Sequence, residues 1–292
     1  MRTFWLWCTL SILLGLLMAM PARAQADFDY MVTFGDSLTH NDLLWLVYGN
    51  PPSLYEDDPN QCVFEKGKAS GDELTSYAVG GSEAADVALQ VDAYLFLEWL
   101  GLESRASIVG YEAGGNDILN NKGILKANAP GSNPSADAVI DNILANLYSS
   151  VKEIYNQLNC QIIIWTIPDV TYTPDLWGQL TQSEIDNLRA HEIRINKKIV
   201  RVKNNPLFVV ADLYSEMPVM ITNPPVIFGH QLNPPPRTGH HDDLFADYIH
   251  PTAVTNALIA NEIIKMINLK WNDNIPLYDE YELASLAQIP SP

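Results

Sequence analysis

Lysine and arginine are scarce in this 292-residue sequence, which limits the partners that it can bind. The chain carries 17 of them against 35 aspartates and glutamates, a formal net charge of −18. A chain this acidic repels phosphate backbones and anionic membrane surfaces. We therefore expect no nucleic-acid partner. The charge does not act against neutral or zwitterionic lipids, because these are captured through apolar contact.

Cysteine is scarce as well, with only Cys8, Cys62 and Cys160 in the chain. Cys8 belongs to the apolar N-terminal segment. In an oxidising compartment the other two can form one disulfide or none, and both alternatives stay open because the sequence does not show how close their Cα atoms come. Neither residue has the spacing of metal ligands. We expect neither a metal nor another cofactor.

Long apolar runs are absent after residue 24, but the first 24 residues contain one. Arg2 gives a positive start, Phe4 to Met20 is almost wholly apolar, and Ala22 to Ala24 has the small-x-small form of a cleavage site. This pattern is typical of a secretory signal peptide, and the alternative is a retained membrane anchor. We expect cleavage near Ala24 and secretion. The remaining chain then has 15 basic against 35 acidic residues, a net charge of −20.

Short apolar runs alternate with helical patterns over the rest of the chain. This alternation predicts a single three-layer α/β/α domain over residues 25–292, with a five-stranded parallel sheet, and we expect a monomer. The predicted strands are Tyr30–Phe34, Thr75–Val79, Ser107–Tyr111, Gln161–Ile167 and Leu207–Ala211. The predicted helices are Ala84–Leu100, Ala136–Leu158, a helix from the capping box at Thr181 to about Val202, and one from Pro251 to about Leu269.

Two long stretches fall outside the alternation. Tyr48–Gly71 is polar and is predicted to be a loop. Pro218–Asp243 is proline-rich and is predicted to be neither a regular helix nor a central strand. Loops this long are usually functional lids or mobile segments.

In open parallel sheets ligands bind at the carboxyl ends of the strands, so we expect the catalytic or binding residues there.

A serine and a histidine stand at such positions. Ser37 follows the first predicted strand within Gly-Asp-Ser-Leu, and His250 precedes the last predicted helix. A serine hydroxyl attacks only when a base takes its proton, and a neutral imidazole suits this near pH 7. Asp247 can accept from the other ring nitrogen and fix the tautomer. Taken singly, these residues are as well explained by a turn serine and a helix-start histidine. The G-x-S-x-G elbow of α/β-hydrolases is absent.

Two glycine-rich turns follow the second and third predicted strands. Gly80 and Gly81 stand in one, and Gly114 to Asn116 in the other. Attack on an ester creates an oxyanion, which backbone N–H groups and an asparagine amide can stabilise. Each segment by itself also fits a plain turn.

The four blocks together resemble the GDSL lipase group of the SGNH hydrolase family, which has a flavodoxin-like fold. The resemblance runs from Phe34 to Thr252. It implies Ser37 as nucleophile, His250 and Asp247 as base and orienter, and an oxyanion hole formed by Ser37, Gly81 and Asn116. Choosing Gly81 over Gly80 rests on matching Ala-Val-Gly-Gly to the family's usual Ala-Val-Ser-Gly. The family often has Asn where this chain has Ser76.

Within that family the chain is similar to secreted bacterial lysophospholipases A and glycerophospholipid:cholesterol acyltransferases. The resemblance implies hydrolysis of a lysophospholipid or another ester lipid through an acyl-enzyme, with transient contact at lipid surfaces. Acyl transfer to cholesterol can accompany hydrolysis, because both reactions share the acyl-enzyme. The alternatives are carbohydrate O-deacetylation and a non-catalytic binding module. Trp45, Trp177 and Phe228 are candidates to line an acyl channel, and His40 to shape the site entrance. A zinc site is the less favoured interpretation of His230, His240, His241, Asp242 and Asp243, which are better explained as loop polarity.

Overall fold

A five-stranded parallel sheet forms the centre of the protein. The computed structural model describes residues 25–39 and 58–292, so the predicted signal peptide, His40 and Trp45 lie outside the described residues. The strand order is β2-β1-β3-β4-β5, as in the flavodoxin-like arrangement of SGNH hydrolases. The strands are β1 (Tyr30–Phe34), β2 (Glu73–Ser76), β3 (Ile108–Tyr111), β4 (Gln161–Trp165) and β5 (Phe208–Ala211).

Helices cover both faces of this sheet, and this confirms the predicted α/β/α layers. They are α1 (Pro59–Gly67), α2 (Ala84–Trp99), α3 (Gly115–Asn120), α4 (Lys122–Ala127), α5 (Pro134–Leu158), α6 (Gln182–Ile199), α7 (Leu213–Thr222), α8 (Ala253–Trp271) and α9 (Glu280–Leu286). Short 3₁₀-helices span Val170–Tyr172 and Val200–Asn204, and a hairpin pairs β6 (Val226–Ile227) with β7 (His230–Gln231).

Alternate residues of the central strands enter different hydrophobic clusters. In β1, Val32 and Phe34 pack with α2, α5 and α6, whereas Met31 packs with α1 and α8 on the opposite face. The same alternation separates Ile162 from Ile163 in β4. Side chains of a strand point to opposite faces in turn, so a strand buried on both faces must be apolar throughout. This is why these strands are easily recognised in the sequence.

The edge strand β2 differs from its prediction. It covers Glu73–Ser76 rather than Thr75–Val79, and its side chains are exposed or half-buried. An edge strand packed on one face does not need a continuous apolar run. The apolar segment Thr75–Val79 therefore predicted a strand that lies too close to the C-terminus. That segment leads out of β2 and still contacts β1, because the N–H of Tyr77 donates to the carbonyl of Thr33 at 2.9 Å.

The described part of the predicted loop Tyr48–Gly71 contains a helix instead. Pro59 occupies the first turn of α1, and the Asp58 carboxylate accepts from the N–H of Gln61 at 2.9 Å as an N-cap. Proline is favoured at this position because the first N–H groups of a helix have no partner within the helix. The prediction was wrong here because Pro59 was interpreted as a loop residue.

The start of the proline-rich stretch Pro218–Asp243 is also helical. Helix α7 continues through Pro218 to Thr222, so the prediction that the stretch holds no regular helix was wrong at its beginning. Proline removes one backbone hydrogen bond from a helix interior. Here packing of the apolar residues of α7 offsets this cost, since Leu213 and Ile221 are both buried.

Cys62 and Cys160 are buried and are not bonded to each other. Cys62 lies in the cluster beneath α1 and α8, and Cys160 lies in the cluster on the other face of the sheet. The sheet therefore separates them. In the described residues, no helix combines the length and the apolar character that crossing a bilayer requires.

The capping box at the start of α6 gives a test of the local structure. The Thr181 hydroxyl accepts from the N–H of Glu184, and the Glu184 carboxylate accepts from the N–H of Thr181 at 2.9 Å. We predict that Thr181→Ala lowers the free energy of unfolding by about 0.5–2 kcal/mol in a denaturant titration. Ser183→Ala, at an exposed position in the first turn of the same helix, is the matched control. It should change the free energy of unfolding by less than about 0.5 kcal/mol. Equal losses in both variants would contradict the capping role.

Candidate active site

The segment that follows β1 is a sharp turn with Ser37 at its centre. Gly35 begins the turn, and its N–H donates to the Gln90 side-chain oxygen at 3.0 Å while its carbonyl accepts from the Gln90 amide at 2.9 Å. A Cβ atom at Gly35 would stand 2.5 Å from Oε1 of Glu112. Only glycine therefore fits between β1 and the Glu112 side chain.

The remaining backbone donors of the turn are occupied, with one exception. The N–H of Asp36 donates to Glu112 Oε1 at 2.6 Å, and the N–H of Leu38 donates to Asp36 Oδ1 at 2.9 Å. The N–H of Thr39 donates to the Asp36 carbonyl at 3.1 Å. Within the described chain the N–H of Ser37 has no acceptor. That group is available to a bound molecule.

His250 connects this turn to the loop before α8. Its Nε2 atom lies 2.9 Å from Ser37 Oγ, and its Nδ1 atom lies 2.8 Å from Asp247 Oδ2. The ring is buried, with 3% of the residue exposed, whereas Ser37 is half-buried. The three side chains therefore form a continuous hydrogen-bonded series from Asp247 to Ser37, in which Nδ1–H donates to the carboxylate and Nε2 accepts from the hydroxyl.

Asp247 also holds the backbone of the histidine loop. Its Oδ1 atom accepts from the N–H groups of Ile249 and His250, both at 2.8 Å. Burial raises the pKa of Asp247, but its hydrogen bonds and the charge of His250 outweigh burial, so the net pKa is lowered. An ionised carboxylate is the form that fixes the imidazole tautomer.

Gly81 lies in a tight turn next to Ser37. The N–H of Ser82 donates to the Val79 carbonyl at 3.1 Å, and Gly81 has a φ of +84°. A positive φ at the third residue is typical of a type II turn and favours glycine. In the described residues the Gly81 N–H has no acceptor. A Cβ at Gly80 would lie 3.8 Å from Ser37 Cβ, so this turn faces the serine.

Asn116 lies near Ser37 at the start of α3, and its amide is already engaged. Nδ2 donates to Asp36 Oδ2 at 2.8 Å and to the Ser82 carbonyl at 3.0 Å. Gly114, with a φ of +105°, makes the turn that directs α3 toward the site. For Asn116 to donate to an oxyanion, the bond to the neutral Ser82 carbonyl must lengthen or become shared.

Three buried residues of the site were missed in the sequence: Asp36, Gln90 and Glu112. Burial raises the pKa of Glu112 well above its usual range, and the adjacent Asp36 carboxylate raises it further. Burial raises the pKa of Asp36 as well, although hydrogen bonds from Glu112 and the N–H of Leu38 oppose this. Asp36 could have been found as part of Gly-Asp-Ser. Gln90 and Glu112 stand in ordinary helix and strand-end positions that carry no signal.

A further carboxylate, Asp117, connects α3 to α2. Its Oδ2 atom accepts from the N–H of Ala84 at 2.8 Å. Burial raises the pKa of Asp117 to about 6, and the charges of Glu83 and Asp36 contribute in the same direction. Asp117 thereby fixes the start of α2, from which Gln90 reaches Gly35.

An apolar cleft opens beside Ser37, Asn116 and His250. It extends over the carboxyl ends of β4 and β5. Its walls come from the segment after β4, from α7 and from the start of α8, and most of its lining side chains are apolar. These include Ile167, Val170, Leu213, Met217, Met220, Ile221, Leu244, Phe245 and Ile259.

Two aromatic residues proposed for an acyl channel, Trp177 and Phe228, do not line this cleft, and the third, Trp45, lies outside the described residues. Trp177 packs against Tyr172 at 5.8 Å between ring centroids, and Phe228 packs against Tyr281 at 4.9 Å. Both belong to the cluster under the β6–β7 hairpin. For these two residues the structure agrees with the alternative interpretation, that aromatic residues more often belong to a core. Met217, Met220 and Ile221, at helical spacing in α7, line the cleft instead.

The loop histidines do not gather into a metal site. His230 Nε2 lies 3.0 Å from Asp242 Oδ2 at the surface. Across the described residues, no three His, Cys, Asp or Glu side chains stand close enough together to hold a metal ion.

The sequence matches the family model described as GDSL-like Lipase/Acylhydrolase over residues 31–263. This range contains β1 from Met31 onward, the other four strands in full and each residue of the site described above. The chain belongs to the GDSL-like lipase/acylhydrolase family. Ester hydrolysis is therefore the class of reaction that this site supports. A comparison with curated proteins found no match by sequence.

Solved structures share the fold of this GDSL-family chain at low sequence identity. The lipase Lip_vut3 from a goat rumen metagenome is 15% identical, with a TM-score of 0.53 over 81% of this chain and 96% of that one. A catalytic mutant of Axe2, an acetylxylan esterase from Geobacillus stearothermophilus, is 14% identical, with a TM-score of 0.52 over 85% and 98%. Identities this low show a common fold and leave the substrate undetermined.

Asn116 gives a test of the oxyanion site. We predict that Asn116→Ala lowers kcat on a soluble ester by roughly 10²–10³-fold, because one fixed donor to the transition state is lost. Asn120→Ala is the matched control on the same helix, since this exposed side chain donates to the Glu83 carboxylate at 2.9 Å. The control should retain kcat within about twofold. Equal rates for Asn116→Ala and wild type would exclude Asn116 as a donor.

Proposed function

We propose that this chain is a secreted lipid esterase, a lysophospholipase A in the first instance, that forms an acyl-enzyme on Ser37. The observation that carries the proposal is the hydrogen-bonded series Asp247–His250–Ser37 at one end of an apolar cleft. The series supplies an activated nucleophile, and the cleft supplies a place for a hydrocarbon chain. Family membership supports the reaction class.

The geometry accounts for each step of an ester hydrolysis. Ser37 Oγ attacks the ester carbonyl carbon while its proton passes to Nε2 of His250, and the carbonyl oxygen becomes an oxyanion. The N–H groups of Ser37 and Gly81, with the Asn116 amide, stabilise that oxyanion. The intermediate collapses as the ester C–O bond breaks and the leaving alcohol takes the proton from His250. Water then attacks the acyl-enzyme by the same route and releases the fatty acid.

The cleft favours a lipid acyl group over an acetyl group. Met217 and Met220 present flexible thioether side chains, which adapt to an irregular hydrocarbon, and Ile167 and Val170 line the same cleft. An acetyl group needs none of this surface. The acetylxylan esterase activity named for Axe2 is the second candidate, and it rests on the shared fold alone.

Acyl transfer to cholesterol and secretion are further parts of the proposal. Hydrolysis and transfer share the acyl-enzyme and differ only in whether water or a sterol hydroxyl attacks it. The N-terminal 24 residues have the composition of a signal peptide, which supports secretion. Transient contact with a lipid surface would deliver the substrate, and the high negative charge favours zwitterionic over anionic lipids.

Removing the nucleophile or its base tests the reaction itself. We expect Ser37→Ala and His250→Ala each to lower kcat by roughly 10⁴–10⁶-fold while the circular dichroism spectrum stays native. A fluorophosphonate probe should label the wild type and leave Ser37→Ala unlabelled. Wild-type turnover in Ser37→Ala would exclude the proposed mechanism, and an unlabelled, inactive wild type would indicate a binding module.

Filling the cleft tests the substrate class. We predict that Met220→Trp lowers kcat/KM for a dodecanoyl ester by roughly 10-fold or more and leaves the acetyl ester within about threefold, because the added ring occupies acyl-chain space. Val219→Trp, on the same helix at a position 54% exposed, is the matched control and should leave both substrates unchanged.

A chain-length series on the wild type completes this test. Higher kcat/KM for acetyl than for octanoyl or longer esters would contradict the lipid proposal and favour the carbohydrate esterase. A panel of lysophospholipid, diacyl phospholipid, triglyceride and acetylated sugar, with and without cholesterol, then identifies the head group and the acyl acceptor.

A further inference from the structure

Behind the predicted nucleophile lies a buried pair of carboxyl groups, Asp36 and Glu112. Both are almost fully buried, at 3% and 5% exposed, and the N–H of Asp36 donates to Glu112 Oε1 at 2.6 Å. Two ionised carboxylates packed into one buried site repel each other, and burial together with the Asp36 charge raises the pKa of Glu112. The mechanism above uses neither group.

The contacts of Asp36 are those of an ionised acceptor. Its Oδ1 atom accepts from the Leu38 N–H at 2.9 Å, and its Oδ2 atom accepts from the Asn116 amide at 2.8 Å. Hydrogen bonds to a carboxylate favour its charged form. Both oxygens of Asp36 therefore work as acceptors for groups that shape the active site.

Glu112 has the surroundings of a neutral carboxyl. Its Oε1 atom accepts from the Asp36 N–H at 2.6 Å and lies 3.4 Å from the Thr39 hydroxyl. Burial and the neighbouring Asp36 charge both raise the pKa of Glu112, which keeps the proton on this residue. The same side chain packs against Gly35, where a Cβ atom would lie 2.9 Å from Glu112 Cγ.

We propose that Glu112 is a positioning residue for the esterase reaction, which as a neutral acid holds Asp36 so that Ser37 and Asn116 stay aligned. It fixes the Asp36 backbone through one oxygen and supports the Asp36 carboxylate by donating to it. Asp36 in turn holds the Asn116 amide next to Ser37. Ionisation of Glu112 places a second negative charge beside Asp36 and, by the same geometry, beside the site where the oxyanion develops.

This inference rests on the proposed function, since it needs Ser37 to be the nucleophile. The experiment therefore compares Glu112→Ala, Glu112→Gln and Ser37→Ala on one soluble butyryl ester. Glutamine keeps an acceptor for the Asp36 N–H and a donor for its carboxylate, so it mimics the neutral acid. We expect Glu112→Gln to keep kcat within about threefold of wild type. Glu112→Ala should lower kcat by roughly 10–100-fold with KM nearly unchanged, because the oxyanion donors lose alignment.

The pH profile of kcat separates positioning from a merely structural role. Glu112 is neutral below its raised pKa, so wild-type kcat should fall as the pH rises through that pKa. Glu112→Gln has no such ionisation and should lack the fall. The other titratable groups that face the pair are Asp117, Tyr111 and His250, and all three remain in every variant. Glu103→Gln, whose carboxylate accepts from Tyr30 at the amino end of β1, is the matched control and should keep the wild-type profile.

Three results would overturn the inference: kcat within threefold of wild type in a folded Glu112→Ala, a loss in Glu112→Gln equal to that in Glu112→Ala, or coinciding pH profiles for wild type and Glu112→Gln. If Glu112→Ala does not fold, the profile of Glu112→Gln decides alone. An active Ser37→Ala would instead refute the proposed function. An inactive Ser37→Ala beside a fully active Glu112→Ala refutes only the role of Glu112.

Discussion

In the turn Gly35–Thr39, four of five backbone N–H groups donate to acceptors within the protein, and the fifth belongs to Ser37. A turn held at every other donor cannot rotate to satisfy the remaining one, so the Ser37 N–H stays directed at whatever binds. Preorganised donors of this kind stabilise a developing charge without having to reorganise during the reaction. The rest of the site is built around this constraint.

The strand order explains how these contacts reach one turn. β1 lies between β2 and β3, so the segments after all three strands converge on the Ser37 turn. The segment after β2 brings Gly81, and the segment after β3 brings Glu112 and Asn116. The crossover helix α2 places Gln90 beside Gly35. The Gln90 side-chain amide accepts from the Gly35 N–H and donates to the Gly35 carbonyl. If β1 were an edge strand it would have one neighbouring strand, and only one neighbouring segment could contact the Ser37 turn.

How much could be predicted from the sequence depends on what each residue needs from its surroundings. The central strands were recognised because burial on both faces requires a continuous apolar run, and the long helices because burial on one face imposes a helical periodicity. Ser37 and His250 were found because their motifs follow strands or precede a helix. Gln90 and Glu112 could not be found, since their roles depend on a tertiary contact that no local pattern records. Helix α1 was missed because Pro59 is compatible with both a loop and a first helical turn.

Helix α7 shows why the substrate is harder to predict than the reaction. The presence of Pro218 predicted an irregular segment rather than a helix. Met217 and Met220, on either side of that proline, nevertheless line the cleft. These positions need only be apolar and of suitable size, so they carry no motif, and cores tolerate such exchanges well. The hydrogen-bonded series Asp247–His250–Ser37, in contrast, requires fixed atoms at hydrogen-bond distance. Residues of α7 can therefore be exchanged while the contacts among Ser37, His250 and Asp247 stay the same, so the cleft can change shape without any change in the hydrogen-bonded series.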